Sequence, residues 1–245
     1  MSALDAARPG TWGTLGALQR LVLRTQVSVP RLLGIAALSG LAILIGLFAR
    51  YADDPTQAAV DGIASYGLAI LVPLAALWLG TSALGDLVED RLLVYLWLKP
   101  VPRWQLPAAA VLATAAIVVP LTALPLTVSA FAAGTSHLAW PAFLSASLGA
   151  LAYSGLFVLA GLWFRRAVWW GLAFILIWEN LLANTVDGAA RFTVAGWTGA
   201  VLGLAAGAAY HIDAGSPAVA FVVLPAIAVG GWLLAVWRYR RADVD

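Results

Sequence analysis

The chain has 245 residues, 62% hydrophobic and 11% charged, with a mean hydropathy of +0.91, whereas a water-soluble domain carries about 25% charged residues and cannot hide so much apolar surface. The net charge of +2 comes from basic residues gathered between apolar runs, a pattern of membrane topology rather than of phosphate binding along a nucleic acid. Without Cys, disulfides, thiolate metal sites, iron–sulfur clusters and a thiol nucleophile are excluded.

Residues 1–31 carry Arg8, Arg20, Arg24 and Arg31 before any apolar run. That stretch is too long and too basic for the n-region of a cleaved secretory signal, so a retained N-terminus is expected. Between 11 and 29, Trp12, Leu15, Leu18, Val22 and Val29 fall near one side of a helix and Arg20 and Arg24 on another. The pattern predicts an amphipathic helix lying in the membrane interface on the cytoplasmic side, with an irregular basic tail as the alternative.

A span needs roughly 17–25 apolar residues to cross about 30 Å. Residues 32–49, 63–83, 107–133, 142–164 and 218–237 meet that length readily. Two further segments are marginal: 167–182, rich in large side chains, and 194–210, rich in Gly and Ala. If the first spans and the second does not, twelve basic residues fall on one side and only Arg50 and Arg191 on the other. The positive-inside rule then makes the crowded side, with both termini, cytoplasmic. Exchanging the pair satisfies the rule equally well. Hydrophobicity favours 167–182 as the span and 194–210 as an outer, re-entrant element, because Leu, Ile, Phe and Trp partition into lipid better than Gly and Ala.

Prolines fall inside the spans at Pro73, Pro120, Pro125 and Pro225, where each removes a backbone donor and permits a kink. Gly199, Gly203 and Gly207 form a doubled GxxxG, a spacing that lets helices approach closely and that also arises by chance in Gly/Ala-rich sequence. The longest cytoplasmic connection, 84–106, holds an acidic cluster (Asp86, Glu89, Asp90), an apolar stretch and the turn Lys99-Pro100-Val101-Pro102-Arg103. Its apolar stretch suits a docked partner, and it serves equally as an interfacial connector. In the fifth span, Trp178-Glu179-Asn180 places an ionisable group about 20 Å from Arg166 along a helix. Glu179, with Asn180 beside it, reads either as part of a substrate path or as a structural polar cluster solvated from outside.

Enzyme readings find little support. His137 and His211 both fall in expected outer connections, so no span carries a histidine pair for haem, a metal cluster or a base for Ser154 in Tyr153-Ser154-Gly155. The only lysine, Lys99, sits in Tyr95-Leu96-Trp97-Leu98-Lys99-Pro100, not in GxxxxGK[ST]. A nucleotide-binding P-loop is therefore absent from the chain.

The stretch from Gly85 to Arg103 resembles the cytoplasmic segment after the second span of type 2 ABC exporter permeases, whose fold is also called type V. In that family an acidic pair precedes a Leu-rich run and a Pro-x-x-Arg turn; here Arg91-Leu92-Leu93 stands where members carry a small residue and Thr. Trp178-Glu179, followed by Arg191-Phe192-Thr193, is similar to a Trp-Glu and Arg-x-Ser arrangement in some members, with Thr for Ser. The layout matches as well: an amphipathic N-terminal helix, six spans and a re-entrant element before the last. The resemblance implies an all-α, six-span permease without catalytic residues of its own. It would pair with a second permease copy or close relative and with cytoplasmic ATPase subunits that bring ATP and Mg. It implies coupling roles for Asp86, Glu89, Asp90 and Arg91 and a path or structural role for Glu179 and Asn180. A membrane anchor or assembly factor that moves nothing is the alternative, and neither reading involves a nucleic acid.

Overall fold

A computed structural model describes residues 11–89, 102, 104–182, 185, 188–206 and 215–241. Every regular element among them is helical. Helix α1 covers Thr11–Gln26 and α2 Val29–Ala49. Helix α3, Pro55–Asp61, runs through a π-helical stretch, Gly62–Leu71, into α4, Val72–Glu89. Helix α5 is Gln105–Ala132, and a 3-10 turn at Ser136–Leu138 leads into α6, Ala139–Trp163. Helix α7, Ala167–Ala173, widens into a second π-helical stretch, Phe174–Leu182. A 3-10 turn at Ala189–Phe192 precedes α8, Val194–Ala206, and α9 is Pro217–Arg241.

Five helical stretches are long and apolar enough to cross a membrane: Val29–Ala49, Pro55–Gly85, Gln105–Ala132, Ser136–Trp163 and Pro217–Arg241. They coincide with the five segments that qualify readily by sequence. The two marginal segments form shorter apolar helices, Ala167–Leu181 and Val194–Ala205. Local signals set several boundaries. Asp54 caps α3 by accepting hydrogen bonds from the amides of Thr56 and Gln57, both at 3.0 Å, with Pro55 in the first turn, where its missing amide hydrogen costs nothing. Helix α5 ends at Gly134, whose φ of 80° only glycine adopts cheaply. The Thr135 amide reaches the Ala130 carbonyl and the Gly134 amide the Phe131 carbonyl, both at 3.0 Å. That Schellman closure turns the chain back, so that α5 and α6 lie side by side.

Helix α6 is the centre of the bundle, packed by α4, α5, α8 and α9. Lipid is as apolar as the helices, so close approach through small residues, not hydrophobic burial, drives their packing. Ala142, Ala146, Gly149, Ala150, Ser154, Gly155 and Gly161 accordingly lie on its buried surface. A Cβ at Gly155 would lie 2.6 Å from the Ala228 carbonyl oxygen, and one at Gly161 2.6 Å from that of Thr81. Helices α9 and α4 thus touch α6 almost backbone to backbone. Ser154 donates to the Ala150 carbonyl of its own helix at 2.6 Å.

Two differences from the sequence reading have physical causes. Residues 84–89 continue α4 instead of starting a connection, because Leu84 is fully buried in an end cluster with Leu18, Val22 and Leu106. Helix α1 is amphipathic as expected, with Leu18 and Val22 buried and Arg20 and Arg24 exposed, but Val29 lies outside the stripe and is 71% exposed. The stripe ends instead on a polar residue. Buried Gln26 donates from Nε2 to Thr114 Oγ1 at 2.7 Å and to the Leu79 carbonyl at 3.2 Å, anchoring α1 on α5 and α4.

Prolines leave helices α4 and α5 continuous, and neighbouring side chains take up carbonyls they orphan. Pro125 cannot donate to Leu121, whose carbonyl accepts instead from Ser39 Oγ of α2 at 2.7 Å. Pro73 likewise leaves Ala69 without its α-helical donor, and the Ala69 carbonyl accepts a long 3.4 Å hydrogen bond from Asn180 Nδ2. The π-helical stretch just before Pro73 widens the helix where the ring would press on that carbonyl.

Candidate functional site

The site lies where the wide end of α7 meets the start of α8. Helix α7 turns a strongly apolar face outward at Leu176, Ile177 and Leu181, while Ile175 and Glu179 point into the bundle. Glu179 is only 2% exposed. Its carboxylate accepts from the Val194 amide through Oε1 at 3.0 Å and from the Ala195 amide through Oε2 at 2.9 Å. Thr193, extended at φ −111° and ψ 147°, is the N-cap, and its Oγ1 accepts from the Gly196 amide at 3.0 Å. Three amides that have no partner within α8 are thereby satisfied by two side chains, one local and one from another helix. The carboxylate also faces the positive end of the α8 dipole.

Two tryptophans fix the turn that delivers Thr193. Trp178 Nε1 donates to the Phe192 carbonyl at 3.2 Å and Trp197 Nε1 to the Arg191 carbonyl at 2.9 Å. Gly188 opens the turn at φ 78°, and a Cβ at Gly196 would strike the Ala190 carbonyl. From α6, the fully buried Tyr153 hydroxyl lies within electrostatic reach of Glu179 without forming a hydrogen bond of standard geometry. Asn180 donates to the Ile175 carbonyl at 2.8 Å, besides its bond to Ala69.

The geometry therefore gathers Trp178, Glu179, Asn180, Thr193 and Tyr153. Sequence reasoning singled out Glu179 and Asn180 but not Thr193 as a cap or Tyr153 as a neighbour of the carboxylate. A Thr directly before an apolar helical run was the available signal for the cap. Asp86 and Glu89 lie in the last turns of α4, whereas Asp90 and Arg91 lie outside the described residues. His137 sits in the turn before α6, and His211 lies outside the described residues. Among the described residues no cluster of three or more His, Cys, Asp or Glu could hold a metal. Chemically the site is a holding device: its carboxylate is engaged by backbone donors on both oxygens. Comparison of the sequence with protein families and with curated proteins finds no match.

Proposed function

We propose that the chain is the transmembrane permease subunit of an ATP-driven exporter of the type 2 ABC family, in which α7 is a sixth, short span and α8 an outer re-entrant helix. The observation that carries this reading is the meeting of Trp178-Glu179 with Arg191-Phe192-Thr193 at the head of α8. These are two of the segments on which the family resemblance rests, and their contact gives the pairing a physical purpose. At about 1.5 Å per residue, α7 and its extension fall short of the roughly 30 Å hydrocarbon core. A helix seated on its outer end would make up the difference.

In this reading both termini are cytoplasmic and the protein resides in the cell membrane. The ATPase subunits, carrying ATP and Mg, engage α1 and the segment with Asp86, Glu89, Asp90 and Arg91, and a second permease copy or close relative completes the path. The chain then contributes the path and no catalysis. Purification of the intact protein from its own cells should bring down a soluble ATPase whose hydrolysis rate changes on reconstitution. The double variant E89K/D90K should lose most of that association while the permease stays folded. Association and transport undiminished in the variant would remove the docking role, and a partner without ATPase activity would favour a membrane anchor.

A further inference from the structure

One end of the bundle carries a cavity of about 1360 Å³ that the site above does not use. Four arginines line it: Arg31 at the start of α2, Arg165 and Arg166 between α6 and α7, and Arg238 near the end of α9. No Asp or Glu is among the described residues that line it. Aromatic side chains line it too, with Trp78 on α4, Trp163 on α6, and Trp169 and Trp170 on the first turn of α7, alongside the hydroxyl residues Thr81 and Ser82. Trp169 and Trp170 are 71% and 61% exposed at its margin.

We propose that this cavity binds the phosphate head group of an anionic phospholipid, with the arginines on the phosphate and the tryptophans along the glycerol and upper acyl region. Arginines from three parts of the chain line it, and the planar donors of a guanidinium match phosphate oxygens two at a time. Exposed tryptophan at the ends of apolar helices marks head-group depth in a bilayer, where lipid phosphates reside. Basic pockets between membrane helices are suited to such head groups. Size and lining separate the lipid from a free anion. The cavity exceeds the roughly 300–1,000 Å³ of ordinary small-ligand sites, far more than inorganic phosphate fills, and its tryptophan rings and Leu162 offer apolar surface that only a lipid would cover.

The test uses the full chain in uncharged detergent micelles, titrated with short-chain phosphatidic acid, phosphatidylcholine of the same chain length, or inorganic phosphate, and read by native mass spectrometry. Phosphatidic acid should bind at least about tenfold more tightly than phosphatidylcholine. The variant R165Q/R166Q should lose that preference, as should R238Q on α9, which keeps the test open if the first variant fails to fold. R240Q/R241Q removes two charges from the same end outside the cavity and should retain it. Equal binding of the two lipids, or an unchanged preference in both cavity variants, would overturn the proposal. Displacement of phosphatidic acid by an equal concentration of inorganic phosphate would also overturn it, assigning the cavity to a free anion.

Discussion

Glu179 resolves a conflict between burial and charge by spending both carboxylate oxygens on the backbone of another helix. An uncompensated carboxylate at the bilayer centre costs about 2.5–3.5 kcal/mol on insertion scales, while hydrogen bonds to a charged group return about 1.5–3 kcal/mol each. E179Q keeps the shape but turns an amide NH₂ toward an amide N–H, leaving one donor of α8 without an acceptor. The expected loss is about 1–3 kcal/mol, read as a lower apparent melting temperature in detergent. T193A removes the local cap at a cost of about 1 kcal/mol, and T193S should restore it. Because the two side chains cap successive amides of one helix end, the double variant should depart from additivity, whereas unrelated sites would simply sum.

At the scale of elements, the α6–α9 crossing depends on the absence of side chains at Gly155 and Gly231. A Cβ at either meets backbone at 2.6 Å, so G155A should force the helices apart and reduce the yield of monodisperse protein. Gly230, with nothing within 4 Å of its would-be Cβ, is the control: G230A should leave the elution profile unchanged. The Ser39–Leu121 contact predicts a rescue. S39A strands the Leu121 carbonyl at about 1 kcal/mol, and P125A, which restores an amide donor four residues on, should cancel that loss in melting temperature. The helices themselves were legible in the sequence because a run such as 32–49 is apolar throughout. The packing was not. Gly199, Gly203 and Gly207 carry the recognisable spacing, Gly207 lying outside the described residues, yet glycines whose Cβ would come within 3 Å of another helix's backbone include Gly46, Gly155, Gly161 and Gly231, since contact depends on which helices become neighbours, and composition says nothing of that. The same holds for Glu179: its depth could be counted from Arg166, but its partners come from a segment whose position no local pattern fixes.

For the molecule as a whole, the decisive question is whether α7 crosses. The absence of native cysteine offers a clean measurement. In intact cells, a thiol reagent that cannot pass the membrane should label R191C and not R166C if α7 spans; labelling of neither or of both would place the two on one side. The distribution of basic residues was readable from sequence, and the positive-inside rule puts both termini on the same side in either arrangement, which is why it could not choose between 167–182 and 194–210. The bond between those two segments bears on how the protein is made. If α7 spans, Glu179 emerges from the ribosome ahead of Val194 and Ala195, so α7 on its own would meet the membrane with a carboxylate that still lacks its partners, on a short apolar helix. Its stable residence would then begin only when α8 has emerged and folds back. Biogenesis of this region should therefore proceed by hairpin, with the nascent chain waiting at the insertion machinery for the sequence that discharges it.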